Sequence, residues 1–138
     1  MVLLKLEKQL LIGNAARRKQ LLELVSLHNF DCICLQETIK ASFRQRELER
    51  FADQRDMYWG WLPCIGHSSG MLMGVDKEVA QVIEEDHGVY FQSMKLTMKA
   101  DGFEWLLFNI YGLAHDERKR EFLKEIQLKI RSSFDYWR

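Results

Sequence analysis

The sequence lacks an excess of charge of either sign, because its 20 Lys and Arg residues are balanced by 20 Asp and Glu residues. A formal net charge of zero excludes a general electrostatic attraction to nucleic acid, so any such binding must be local. Cysteine is also scarce: there are three, an odd number, and Cys32 and Cys34 lie within one apolar run. These two are expected to pack as small hydrophobic residues in a reducing compartment, without a disulfide framework or a zinc site.

A long uninterrupted apolar run is absent as well. The Leu-rich start, residues 1–12, carries Lys5, Glu7 and Lys8 among its apolar residues. This interruption excludes a transmembrane span there, and it argues against a signal peptide because no clean apolar core precedes a small-residue cleavage site. The four histidines are too scattered to show the spacing of a zinc site. The expectation is therefore a protein of the nucleus or cytoplasm with no membrane partner.

The sequence does contain enough apolar residues, 47% of 138, for one domain with a core. Its most informative stretch runs from Phe30 to Thr38, where apolar residues give way abruptly to polar ones. This pattern predicts a short strand that is buried on both faces and opens at its carboxyl end to the rim, where layered α/β folds hold ligands and ions. Because side chains alternate along a strand, one face should carry Ile33, Leu35 and Glu37, and the other Cys32, Cys34 and Gln36. A plainer interpretation is that residues 36–38 simply end a strand.

The remaining patterns predict helices and hairpin-linked strands. Helical periodicity is found over residues 15–28 and 41–56, and a last helix is expected from Asp116 to Ile130. Strands are predicted at residues 57–63, 71–75, 79–84, 90–98 and 103–111, with a hairpin turn at Ala100-Asp101-Gly102. The aromatic strand 57–63 could stack bases, but its composition is more typical of a core. The sequence thus predicts an α/β fold with a mixed, largely antiparallel sheet and flanking helices.

Two short motifs resemble those of a known family. The run Cys34-Leu35-Gln36-Glu37-Thr38 resembles the metal-binding strand of the endonuclease/exonuclease/phosphatase superfamily, and Phe108-Asn109-Ile110-Tyr111 resembles its Asn-x-Tyr element. Within this superfamily, the residues of the two motifs are most similar to those in the amino-terminal half of the endonuclease domain of plant LINE-type (non-LTR) retrotransposons. The resemblance implies that Glu37 binds a metal, that Tyr111 lies by the scissile phosphate and that Asn109 supports the site. On the residues alone, Tyr111 is an ordinary strand-end tyrosine.

The resemblance covers residues 15–130 and implies a partial four-layer α/β sandwich. It divides the chain into a divergent amino terminus, 1–13, a truncated domain, 14–131, and a tail, 132–138. The chain departs from the family at Asn14, which follows a glycine instead of preceding it, and at Leu113, which replaces a proline. Relatives complete their site with a Gly-Asp-x-Asn strand and a Ser-Asp-His element, and neither occurs in this sequence.

The family activity is Mg²⁺-dependent phosphodiester cleavage of DNA, which makes DNA a partner by resemblance only. Because the elements that complete the site are missing, this chain is expected to be inactive and to bind Mg²⁺ weakly if at all. Tight binding would need a second carboxylate beside Glu37, such as Asp76 or Asp116. Three functions stay open: an inert gene remnant, a non-catalytic binding module and a weak nuclease completed by another chain.

Because the resemblance covers only the amino-terminal half of the family domain, the second sheet is expected to be incomplete. It would leave apolar side chains without neighbours, among them Ile33, Leu35, Leu72 and Phe108. Exposed apolar patches beside unpaired strand edges drive association. Self-association through the incomplete sheet is therefore expected.

Overall fold

A computed structural model describes residues 3–6, 19–20, 22–24, 27, 30–36, 38, 42–53, 55–63, 70–110 and 119–133. Over these residues the chain has an α/β fold with two sheets. The strands are β1 Leu3–Leu6, β2 Cys32–Gln36, β3 Met57–Leu62, β4 Met71–Asp76, β5 Ala80–His87, β6 Phe91–Met98 and β7 Glu104–Ile110. The helices are α1 Gln45–Phe51 and α2 Lys119–Ser133, and residues 19–20, 22–24 and 27 are also helical. No helix in this part of the chain is long and apolar enough to cross a membrane.

The first sheet has four strands in the order β1-β2-β4-β3. β1 runs parallel to β2, whereas β4 is antiparallel to both of its neighbours. All five residues of β2 are buried, as predicted for a strand covered on both faces. The Leu-rich start of the chain contributes β1, which lies at the edge of this sheet. Part of the segment marked as divergent, 1–13, therefore belongs to the sheet.

The second sheet is an antiparallel meander in the order β5-β6-β7. A tight turn at residues 99–101 joins β6 to β7, and Gly102 after it has a φ of 73°, a conformation that favours glycine. The N–H of Met98 donates a hydrogen bond to the carbonyl of Phe103 at 2.8 Å, which closes the hairpin. The predicted hairpin and the strands on either side of it are confirmed.

The first sheet carries a hydrophobic cluster on each face. One cluster joins Ile33, Leu35 and Leu72 to Leu48 and Phe51 of α1. The other joins the two sheets, and it consists of Cys32, Cys34, Met73, Val75, Ala80, Met94, Leu96 and Leu107. The predicted alternation along β2 is confirmed for its described residues. The expectation that Ile33, Leu35 and Leu72 lack packing partners is wrong, because α1 covers their face and leaves each at most 1% exposed.

Helix α2 covers the outer face of the second sheet. The residues of β6 that alternate with Met94 and Leu96 point away from the first sheet, and Lys95 among them donates from Nζ to the carbonyl of Ser133 at 2.8 Å. The described elements are thus layered as helix, sheet, sheet, helix. Because α2 ends at Ser133, it reaches two residues into the segment predicted as a tail, 132–138.

Phe108 on the same outer face also has a packing partner. Its ring contacts that of Phe91, with 5.5 Å between the centroids, and its side chain is partly buried. All four side chains named in that expectation therefore have packing partners among the described residues. β7 lies at the edge of the second sheet in the described part of the chain, so association through a sheet edge stays a prediction.

Helix α1 is shorter than the helix predicted over residues 41–56, although its apolar stripe is buried as predicted. The helix ends at Phe51, and Asp53 shortly after it has a φ of 50°. Arg55 then pairs with Asp76 at the end of β4, with Nη1 3.3 Å from Oδ2. Because this contact joins residues far apart in sequence, helical periodicity could not predict where α1 ends. In the aromatic strand β3, Tyr58 and Trp59 are partly buried against the hydrophobic clusters, whereas Trp61 is exposed, so the interpretation of this strand as core is confirmed only in part.

Lys129 ties α2 to β5. Its buried ammonium group lies 2.7 Å from Oε1 of Glu84 and 3.0 Å from Oδ2 of Asp86. Burial acts to lower the pKa of Lys129, but the hydrogen bonds to the two carboxylates outweigh it and raise that pKa. For Asp86, burial acts to raise the pKa, but the hydrogen bonds from Lys129 and from the N–H of His87 outweigh it and lower that pKa.

We expect Lys129→Met to lower the free energy of unfolding by about 1 kcal/mol at pH 7, a modest loss because water screens the half-exposed carboxylates. The pKa of Asp86 is lower in the folded protein, so its contribution is present above about pH 4 and is lost as the pH falls further. The pKa of Lys129 is higher when folded, so its contribution is present at neutral pH and is lost above about pH 10. Urea unfolding at pH 7 and pH 3 measures both proteins, with the exposed Lys124→Met as control. An equal loss at the two pH values would contradict this account.

Candidate functional site

Two amide side chains join the ends of β2 and β7, which belong to different sheets. Gln36 is the last residue of β2, and its Nε2 donates to Oδ1 of Asn109 at 3.0 Å and also to the carbonyl of Ile110. Asn109 in turn donates from Nδ2 to the carbonyl of Leu35 at 3.0 Å. We call Gln36 and Asn109 the amide bridge. It connects residues that are 73 positions apart in the sequence and fixes the end of one sheet against the other.

The amide bridge lies in the layer between the sheets, and this position follows from strand alternation. Cys32 and Cys34 face the second sheet, so Gln36 continues the same face of β2; Leu107 faces the first sheet, so Asn109 continues the same face of β7. Asn109 is fully buried and Gln36 is 5% exposed. Hydrogen bonds in such a low-dielectric layer are stronger than in water, and breaking them leaves buried polar groups without partners.

The structure places the three predicted site residues differently. Asn109 lies in the amide bridge, where its polar atoms bond to Gln36 and to the backbone of β2, and its support of a metal or phosphate site stays a prediction. Glu37 and Tyr111 lie outside the described residues. In the sequence, Glu37 directly follows Gln36, and Tyr111 directly follows Ile110. The side chain of Gln36 is hydrogen-bonded to the carbonyl of Ile110 and to Asn109.

Asp76, one of the two carboxylates considered as a second ligand, lies away from the amide bridge. Gln36 pairs with Met71 at the start of β4, whereas Asp76 is at the opposite end of that strand. Asp76 is also engaged there, because its Oδ2 pairs with Arg55 and its Oδ1 accepts the N–H of Glu78 at 2.9 Å. Asp116 lies outside the described residues. Asp76 therefore cannot complete a carboxylate pair with a metal ligand at the carboxyl end of β2.

Two further polar residues lie at this end of the sheets: Gln92, which the sequence did not single out, and Thr38, which ends the first motif. Gln92 is directly opposite Asn109 in the register of β6 and β7, and it is 4% exposed. Thr38 is fully buried, and its N–H donates to the carbonyl of Gly70 at 3.3 Å. Oε1 of Gln92 and Oγ1 of Thr38 have no hydrogen-bond partner among the described residues. The available signal was that Gln92 shares a strand face with Met94 and Leu96, an apolar face on which a glutamine is out of place.

The described residues do not by themselves form a metal site or a reactive nucleophile. They contain no group of three His, Cys, Asp or Glu side chains placed to hold an ion. Cys32 lies at the other end of β2 from Gln36, and burial, with added repulsion from Asp31 and Asp76, raises its thiol pKa to about 12. A thiol with this pKa stays protonated at neutral pH and neither attacks a phosphate nor binds a metal. That Glu37, the residue after Gln36 in the sequence, binds a metal stays a prediction.

Comparisons with known proteins add no relative. No model of a known protein family matches the chain, and no curated protein is significantly similar to it. The relationship to a family consequently stays a prediction from the two sequence motifs.

Proposed function

We propose that this chain is an endonuclease/exonuclease/phosphatase-like domain derived from a retroelement reading frame. It binds a divalent cation weakly at Glu37 and does not cleave DNA by itself. The observation that carries the proposal is the amide bridge. Its hydrogen bonds join Gln36, which precedes Glu37 in the first motif, to Ile110, which precedes Tyr111 in the second motif. A phosphodiester-cleaving site needs its cation and its phosphate-facing group close together.

The layer order gives further support. A helix layer, two packed sheets and a second helix layer are what a four-layer α/β sandwich of this family requires. The mixed first sheet and the antiparallel second sheet also agree with the mixed, largely antiparallel arrangement that the resemblance implies. Loss of activity is proposed for a chemical reason: these 138 residues contain neither the Gly-Asp-x-Asn nor the Ser-Asp-His sequence that supplies the family's remaining acid–base and metal-binding groups.

Purified chain is expected to nick supercoiled or abasic DNA no faster with Mg²⁺ than its Glu37→Ala variant does. Removing one member of a catalytic set commonly reduces the rate by orders of magnitude, and here several are missing. Agarose-gel conversion of supercoiled to open-circular plasmid measures the rate. Mg²⁺-dependent nicking that disappears in Glu37→Ala would contradict the proposal. It would make His87, which pairs in register with Gln92, the first acid–base group to test.

Two functions of other classes are distinguished by binding measurements. A non-catalytic binding module retains DNA in a filter or gel-shift assay, and this retention weakens with salt if it depends on local basic residues. An inert remnant retains neither DNA nor Mg²⁺. A weak nuclease that needs a second chain predicts nicking only when that chain is added.

A further inference from the structure

We draw no further inference here: the strongest candidate, the apolar groove that Phe122, Leu123, Ile126 and Ile130 of α2 form with Ile110 of the edge strand β7, carries none because nothing in the described part of the chain shows what covers it.

Discussion

Replacing Asn109 by leucine is expected to lower the free energy of unfolding by about 2–4 kcal/mol, because it removes both hydrogen bonds that this buried amide makes across the sheets. Of the two described hydrogen bonds of Gln36 Nε2, the one to the carbonyl of Ile110 remains, and the carbonyl of Leu35 loses a donor. Leucine fills most of the space of asparagine. The loss of stability is therefore due mainly to polar groups left without hydrogen-bond partners, and only to a small extent to a cavity. The same variant should weaken Mn²⁺ binding, since the ends of β2 and β7 are no longer tied together.

Urea unfolding of Asn109→Leu, Gln36→Leu and the double variant measures this effect as a cycle. The two single losses should not add, and the double variant should recover about 1–2 kcal/mol relative to their sum, because removing both partners leaves fewer groups unpaired. Gln81→Leu, on the exposed side of β5, is the control for introducing leucine and should change stability by less than about 0.5 kcal/mol. Additive losses would mean that Gln36 and Asn109 act independently and that the amide bridge does not hold the sheets together.

Gly74→Ala is expected to destabilise the protein by about 3 kcal/mol, at the upper end of the cost of overpacking a core. Gly74 of β4 pairs in register with Trp59 of β3, and the indole ring lies over the glycine. A Cβ at this position would lie 2.3 Å from Cζ3 and 2.6 Å from Cε3 of that ring, closer than such atoms approach in real proteins. The ring packs against the cluster under α1, so it cannot move away without opening that cluster.

The test is a rescue experiment monitored by thermal unfolding. Trp59→Leu removes the clashing ring, so Gly74→Ala should cost much less in the Trp59→Leu background than in the wild-type chain. Indole fluorescence of the Gly74→Ala variant should also differ from that of the wild type, because the ring is displaced. If Gly74→Ala costs the same in both backgrounds, the contact between Trp59 and Gly74 is not the cause of the destabilisation.

Local patterns predicted much of the fold. The alternation along β2 assigned Ile33 and Leu35 to one face and Cys32 and Cys34 to the other, and the two hydrophobic clusters follow this division. The glycine in Ala100-Asp101-Gly102 marked the β6–β7 hairpin, because a positive φ suits glycine better than other residues. These features depend on side-chain direction and backbone sterics within a few residues, so a single sequence contains the necessary information.

The candidate site was only partly predictable in the same way. The motifs pointed to Asn109 through resemblance, but nothing local indicated that its partner is Gln36 or that Gln92 lies beside it. Each of these residues occupies a strand position whose face is known from alternation. Which strands meet at that face is decided by pairing between segments dozens of residues apart.

The sequence by itself thus determined the class of the fold, the face on which each residue of β2 lies, and the turn between β6 and β7. Only the tertiary structure decided that β1 pairs parallel to β2, that α1 covers Ile33, Leu35 and Leu72, and that an amide bridge joins the two sheets. The physical reason is that hydrophobic periodicity identifies the buried side of a helix or strand but does not identify the element that packs against that side. The partner is selected by the burial and hydrogen bonding of the whole chain, which for Gln36 and Asn109 acts across 73 residues.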